Sequence, residues 1–122
     1  MDARITTKVK NQSRTVVSVY VATTQGRVAD LNCRAGKSAT ETGYINTEDA
    51  RGGTITLRLP ATDQRKDYSF NIPPPPSMGG TVILDILISE PAFQQKVTLT
   101  HHVYWETLAV RKTAPGGFRV GR

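Results

Sequence analysis

The chain has 122 residues and a mass of 13.3 kDa, which is enough for one domain and too little for two. Its formal net charge is +6, and its single cysteine excludes an internal disulfide framework and a cysteine-rich zinc site. No apolar run approaches the ~18 residues of a membrane-spanning helix, and the first residues lack the apolar segment of a secretory signal. We therefore expect a protein made inside the cell, with no membrane partner.

The positive charge is concentrated at the two ends of the sequence. Residues 1–14 carry a net charge of +3, and the basic tail 111–122 carries +4 with no acidic residue. The 96 residues between them sum to −1. Basic ends on a nearly neutral body suit an acidic partner such as nucleic acid, although solubility alone explains them equally well.

Period-two alternation of apolar and polar residues predicts strands in the first half of the chain. Residues 1–22 read as an N-terminal β-hairpin, with the polar turn Asn11-Gln12-Ser13 between its strands. A shorter strand is predicted from Gly26 to Cys33. Residues 34–52 are rich in Gly, Ser, Thr and Asn, so we expect mostly loop there, with one candidate strand near 43–45.

A second hairpin is predicted over residues 54–72. Ile55, Leu57 and Leu59 share one face of its first strand, a polar loop covers 61–67, and an alternating strand led by Tyr68 follows. Four consecutive prolines from Pro73 cannot donate ladder hydrogen bonds, so the strand must stop there. A loop over 73–80 and a further strand over 81–88 complete the sheet, which spans 23–88.

Residues 89–110 fit either a helix or strands. Many are β-branched, which favours strands. Ser89-Glu90-Pro91 is a helix start, and an apolar stripe recurs at helical spacing without an interrupting Gly, Pro or Asn. We expect the helix, with a packing face formed by Phe93, Val97, Tyr104 and Leu108.

No motif argues for an enzyme. Gly36-Lys37-Ser38 resembles the end of a phosphate loop, but Leu31 stands where that loop needs a glycine. The adjacent His101 and His102 point apart on a strand or a helix, so they are poorly placed to share a metal. We expect no catalytic residues, no cofactor, no metal and no small-molecule substrate.

A polar sheet face is the candidate site. Thr54, Thr56 and Arg58 oppose the apolar face of their strand, and Ser69 and Asn71 continue the surface on the next strand. Arg65 and Lys66 lie at the connecting loop. Cations can bind phosphates, and short hydroxyls and amides can bind unpaired bases, so this face could bind single-stranded RNA.

The order of elements resembles the coat proteins of single-stranded RNA bacteriophages. The similarity is carried best by two segments, Ile55-Thr56-Leu57-Arg58-Leu59-Pro60 and Gln64-Arg65-Lys66-Asp67-Tyr68-Ser69-Phe70-Asn71-Ile72-Pro73. The passage 84–91 resembles the family's last strand running into a helix, and Val120-Gly121-Arg122 is similar to the ending of one branch. The resemblance implies an α+β fold over residues 1–122: an N-terminal β-hairpin, an antiparallel sheet and a C-terminal helix over 89–110.

The resemblance also implies a function. Such chains form an intertwined homodimer and assemble into an icosahedral capsid, a virus-like particle that packages phage RNA. They can repress replicase translation through an RNA hairpin. This chain would then be a structural protein of the virion, made in the bacterial cytoplasm. The implied RNA-binding residues are Thr54, Thr56, Arg58, Lys66, Ser69, Asn71 and Thr81. The implied inter-subunit loop contains Pro73, Pro74, Pro75, Pro76, Gly79 and Gly80.

Two other hypotheses stay open from the sequence. An all-β sandwich that binds lipid or carbohydrate without catalysis requires residues 92–110 to be strands. A small enzyme has the least support.

Overall fold

Every regular element that the computed structural model describes is a β-strand. The structure describes residues 2–92 and 96–107. Within these ranges no helix is long and apolar enough to cross a membrane. The eight strands are β1 (Asp2–Asn11), β2 (Val17–Thr23), β3 (Gly26–Cys33), β4 (Ser38–Asn46), β5 (Gly52–Leu59), β6 (Gln64–Asn71), β7 (Gly80–Ser89) and β8 (Thr98–Thr107).

The strands form two four-stranded sheets that pack as a sandwich. Sheet A has the order β4-β1-β7-β8, and sheet B has the order β3-β2-β5-β6. The pair β1 and β7 is parallel, and the other pairs are antiparallel. The chain therefore leaves sheet A after β1, returns for β4, leaves again for the β5–β6 hairpin and returns for β7 and β8.

Alternation along each strand builds the core between the sheets. In β1 the odd-numbered residues from Ala3 to Asn11 are buried, and the even-numbered ones are mostly exposed. Strands β2 and β5 bury the same kind of row from sheet B. The fully buried apolar side chains include Ile5, Val9, Val17, Val19, Val21, Ile55, Val82, Leu84 and Ile88.

The predicted α+β fold with a C-terminal helix is wrong. Residues 98–107 are strand β8, paired with β7 from Ser89–Thr98 to Gly80–Thr107. The β-branched residues of this segment favour a strand over a helix, because they pack well on a pleated surface next to the apolar β7. The coat-protein fold, which depends on that helix, is corrected with it, whereas the homodimer stays a prediction.

The proposed helix face does not exist as a unit. Val97 precedes β8, whereas Tyr104 lies within β8 on the outer face of sheet A, beside Asp85. Phe93 and Leu108 lie outside the described residues, as does the tail 111–122.

The predicted N-terminal hairpin is also wrong, although both of its strands exist. β1 and β2 belong to different sheets and do not pair. The buried Asn11 makes this crossing specific: its side-chain amide donates to the carbonyls of Thr15 (2.8 Å) and Cys33 (3.0 Å). Its side-chain oxygen accepts from the backbone N–H (3.0 Å) and the hydroxyl (2.6 Å) of Ser13. These bonds satisfy buried polar groups of the turn that connects one sheet to the other.

The β5–β6 hairpin is confirmed, with a shorter loop than predicted. The pairing runs from Gly52–Asn71 to Leu59–Gln64, so the loop is 60–63. Residues 34–52, expected to be mostly loop, contain the nine-residue strand β4.

Candidate ligand-binding cleft at the open side of the sandwich

The structure brings together five of the seven residues predicted to bind RNA. Thr54 pairs with Ser69 across β5 and β6, so these residues share the outer face of sheet B with Thr56, Arg58 and Asn71. The outer position Arg65 is paired with Arg58. Two predicted residues lie elsewhere.

Lys66 and Thr81 are separated from that face. Lys66 pairs with Leu57, whose side chain is buried in the core, so Lys66 points to the inner side of sheet B. Thr81 lies on β7 in the other sheet, paired with Arg4 and Glu106. Strand parity therefore excludes a single surface containing all seven residues.

Carboxylates accompany the cations of the outer face of sheet B. Arg58 Nη2 lies 3.4 Å from Asp63 Oδ1, and Arg65 Nε lies 3.6 Å from Asp67 Oδ1. The Thr56 hydroxyl donates to the same Asp67 oxygen at 2.8 Å. These groups are exposed, so the ion pairs are weak, but they reduce the positive potential available to a phosphate.

The proline loop closes the upper end of the sandwich, where β6 ends. The Trp105 indole N–H donates to the carbonyl of Pro73 at 2.8 Å, and Gly79 N–H donates to the carbonyl of Pro76 at 3.0 Å. Pro74 and Pro75 are exposed, and Gly80 already belongs to β7. The inter-subunit role predicted for this loop stays a prediction.

The two lateral sides of the sandwich differ. On one side, edge strands β3 and β4 approach so closely that a Cβ on Gly43 would lie 2.6 Å from the carbonyl oxygen of Val28. The backbone N–H of Asp30 donates to Glu41 Oε1 at 2.8 Å. On the other side, edge strands β6 and β8 leave a cleft at the lower end, where β6 begins.

This cleft has a volume of about 800 Å³. Its apolar lining comes from sheet B and from the residue that precedes β8: Leu57, Leu59, Tyr68 and Val97. Leu59, Tyr68 and Val97 are partly buried against the core and keep exposed surface toward the cleft. The volume is in the usual range of small-molecule sites in proteins.

The rim of the cleft is mainly cationic. Lys66 and Lys96 are exposed side chains on its wall, and the ammonium group of Lys66 lies 5.3 Å from the centre of the Tyr68 ring. Neither lysine lies within ion-pair distance of a carboxylate in the described part of the chain. An anionic group at the mouth would therefore find two uncompensated positive charges.

The carboxylate on this rim, Glu90, is already engaged. It accepts a hydrogen bond from the backbone N–H of Arg14 at 3.0 Å, and the Arg14 guanidinium lies 3.5 Å away. The backbone hydrogen bond, followed by the guanidinium, holds the pKa of Glu90 below its ordinary value. Glu90 is thus an ionised anchor for the 12–16 connection.

The cysteine thiol does not line the cleft. Cys33 is 2% exposed, and burial raises the pKa of its thiol, which disfavours the reactive thiolate. Among the residues that the structure describes, no three His, Cys, Asp or Glu side chains come together as a metal site. The arrangement can hold a ligand by burial and charge.

Comparison with known proteins gives no family assignment. No family model and no curated protein matches the chain.

The cleft could not be predicted from the sequence, for a physical reason. Leu57 and Tyr68 were recognised as apolar strand positions, but strand periodicity does not tell whether a neighbouring strand covers them. Lys66 followed by Tyr68 is the available signal: a cation two residues from an aromatic on one face marks an incompletely covered edge.

Proposed function

We propose that this protein is a non-enzymatic binding protein whose ligand is an amphiphile with an apolar chain and an anionic head group. The observation that supports this proposal is the cleft between β6 and β8, which combines apolar walls with a cationic rim. It develops the hypothesis of an all-β sandwich that binds lipid or carbohydrate, which required residues 92–110 to be strands; within that range, residues 98–107 are strand β8.

The apolar part of the ligand would lie against Leu59, Tyr68 and Val97. These side chains retain exposed surface on the cleft, and covering that surface removes apolar area from water. The gain is about 25 cal/mol for each Å² covered. An alkyl chain can follow an irregular wall of this kind without needing directional partners.

The head group would lie between Lys66 and Lys96. Lysine ammonium groups are mobile point charges and suit a carboxylate or phosphate without demanding one geometry. Because Glu90 is engaged by Arg14, it does not compete for these lysines in the described structure. A cationic amphiphile of the same chain length should therefore bind poorly.

Matched ligands test the proposal. Isothermal titration with dodecanoate, dodecanol and dodecyltrimethylammonium separates chain burial from charge. We expect dodecanoate to bind more tightly than dodecanol by about tenfold, and the cation to bind most weakly. Absence of binding by all three, or equal affinity for all three, would overturn the proposal.

Matched variants locate the binding site. The double variant Lys66→Glu/Lys96→Glu should lower dodecanoate affinity by at least about tenfold and change dodecanol affinity much less. The control Arg4→Glu/Lys8→Glu makes the same charge change on the outer face of sheet A, away from the cleft, and should leave dodecanoate binding nearly intact. Equal losses in both double variants would show a response to net charge alone.

One observation favours a second candidate, the binding of single-stranded RNA by the outer face of sheet B. Five of the predicted residues share that face with Arg65 and with the 42%-exposed Tyr20, which pairs with Thr56. An exposed ring beside hydroxyls can stack on an unpaired base. This candidate is weaker because carboxylates flank Arg58 and Arg65.

The second candidate has its own measurement. In filter binding at low salt, Arg58→Ala and Tyr20→Ala should each weaken binding of a single-stranded RNA several-fold, whereas Lys8→Ala on sheet A should not. Assembly into an RNA-containing capsid stays a prediction, and negative-stain electron microscopy of the expressed protein checks it. A monomer on sizing, with no particles, would count against that assembly.

A further inference from the structure

The strand order collects four connections at one end of the sandwich. Because β1 and β7 run in parallel and their neighbours are antiparallel, residues 12–16, 34–37, 60–63 and the described residues 90–92 and 96–97 lie at the lower end. Two backbone bonds link this end: Asn11 N–H to the Lys37 carbonyl (2.9 Å) and Gln12 N–H to the Ile88 carbonyl (2.8 Å). We call these connections, with the two strand residues nearest each, the basic pole.

The charge of the described residues is distributed unequally between the two ends. The opposite pole, defined in the same way around connections 24–25, 47–51 and 72–79, has two cationic residues, Arg27 and Arg51, and two acidic ones, Glu48 and Asp49. The basic pole has seven cationic residues and two acidic ones, Asp63 and Glu90. Its cations are Lys10, Arg14, Arg34, Lys37, Arg58, Arg65 and Lys96.

Both acidic residues of the basic pole are already paired. Glu90 is held by Arg14, and Asp63 lies 3.4 Å from Arg58. Four exposed cations are left without a carboxylate partner in the described ranges: Lys10, Arg34, Lys37 and Lys96. The positive potential of this pole is therefore directed outward.

The pole is also preorganised. Residues 34–37 form a tight turn in which Lys37 N–H donates to the Arg34 carbonyl at 3.1 Å, and Gly36 has a φ of 73°, a conformation that suits glycine. Arg34 and Lys37 are the first and last residues of this turn, and both are exposed. The buried Asn11 fixes the adjacent connection 12–16, so both connections present their side chains in defined places.

Apolar surface lies among these cations. Val16 is 46% exposed in the 12–16 connection, and the cleft opens at the same end between Leu59 and Val97. A phosphate backbone offers no apolar layer in which an exposed valine could be buried. An anionic bilayer offers both a charged surface for the lysines and an apolar layer for Val16.

We propose that the basic pole docks this protein on the surface of an anionic lipid bilayer, with the mouth of the cleft toward the lipid. This inference rests on the proposed function, because docking would place the cleft where an amphiphile can pass between the membrane and the protein. The interaction is peripheral: cations attract the surface, and Val16 contacts the headgroup layer.

The experiment is co-sedimentation with lipid vesicles. One set contains phosphatidylcholine alone, and the other contains phosphatidylcholine with about one-third phosphatidylserine. We expect binding to the phosphatidylserine vesicles, little binding to the neutral ones, and loss of binding as salt shortens the range of the charges. Equal binding to both vesicle types, or to neither, would overturn the proposal.

Two charge-matched double variants assign the surface. Arg34→Glu/Lys37→Glu at the basic pole should lower the partition onto phosphatidylserine vesicles by at least about tenfold. Arg27→Glu/Arg51→Glu, exposed at the opposite pole, makes the same change in net charge and should have a small effect. Equal losses would refute a role specific to this pole. Val16→Asp should also weaken binding without altering net charge by more than one unit.

Titration with dodecanoate in solution separates this inference from the proposed function. Arg34 and Lys37 do not line the cleft, so their double variant should bind dodecanoate normally at physiological salt while losing the vesicles. If the wild type binds dodecanoate normally but does not bind vesicles, the docking proposal is wrong and the proposed function is unaffected. If the pole variant instead loses affinity for single-stranded RNA and the wild type ignores vesicles, the pole is a nucleic-acid interface and the proposal is wrong.

Discussion

The two lateral sides of the sandwich show how one fold can combine a sealed edge with a binding edge. Along the β3–β4 side, contacts join the sheets from top to bottom. Gln25 exchanges two hydrogen bonds with the backbone of Asn46 (2.9 and 3.3 Å), Gly43 lies against Val28, and Cys33 contacts the Lys37 carbonyl (3.2 Å).

The β6–β8 side has a fixed contact at its upper end, from Trp105 to Pro73. Below it lies the cleft. Side-chain size matters for the sealed side, because the glycine at residue 43 permits the close approach of β4 to Val28. On the open side, Tyr68 and Lys66 line the cleft and pack on each other.

The largest expected loss of stability comes from a substitution that forces β3 and β4 apart on the sealed side. In Gly43→Val the new Cβ would meet the Val28 carbonyl oxygen at 2.6 Å, so the strands must separate. We expect a loss of about 3 kcal/mol in the free energy of unfolding, measured by urea denaturation. Thr42→Val, at the exposed neighbouring position, is the control and should change stability little. A similar result for both variants would mean that the β3–β4 contact is not tight.

The next largest loss of stability is expected at the lower end of the sealed β3–β4 side. Asn11→Ala removes the amide that donates to the carbonyls of Thr15 and Cys33, and it leaves these buried groups unsatisfied. We expect a loss of about 2 kcal/mol in urea denaturation. Gln12→Ala, exposed beside it, should be nearly neutral. Full stability of Asn11→Ala would show that the turn finds other partners.

A smaller effect is expected on the open side. Trp105→Phe keeps an aromatic ring but removes the donor to the Pro73 carbonyl. The expected loss is about 1 kcal/mol. Hydrogen exchange of the Gly79 amide, which is bonded to the Pro76 carbonyl, reports on the same loop and should accelerate. An unchanged exchange rate would mean that the Trp105 hydrogen bond does not stabilise the proline loop.

The smallest effect concerns pH. Because Arg14 holds the pKa of Glu90 below its ordinary value, the ionised carboxylate stabilises the fold above the unfolded-state pKa, about 4.3. That contribution is lost as the pH falls through the lowered folded-state value. The urea midpoints of wild type and Glu90→Gln should therefore differ at about pH 7 and converge at low pH. A constant difference would contradict the role of the charge.

The sequence predicted strands well where one face is strongly apolar. Strands β1, β2 and β5 alternate β-branched or aliphatic residues with more polar ones, β7 is an apolar run broken by Asp85, and the existence of all four was predicted. Strand β4 was largely missed because its inner positions are Ala39, Glu41, Gly43 and Ile45, which give almost no hydrophobic period.

Local sequence patterns could not predict which strands pair or that residues 98–107 form a strand. The turn after β1 looks like a hairpin turn, but a buried Asn11 sends the chain to the other sheet, and burial of an asparagine cannot be read from its neighbours. In 98–107 the helical stripe was coincidental. Parity correctly grouped Thr54, Thr56 and Arg58, whereas the cleft depends on which edges meet across the sandwich, a property of the whole fold.

The parallel pairing of β1 with β7 sets an order for maturation on the ribosome. Strands β2, β3, β5 and β6 emerge early and need only antiparallel neighbours from their own stretch of chain. The apolar row of β1 is synthesised first and can pair with β4 once residue 46 is made, yet its ladder with β7 must wait until residue 89. Until then the edge of β1 that faces β7 has no partner strand, so residues 2–11 would be the segment of the nascent chain most open to a holdase chaperone.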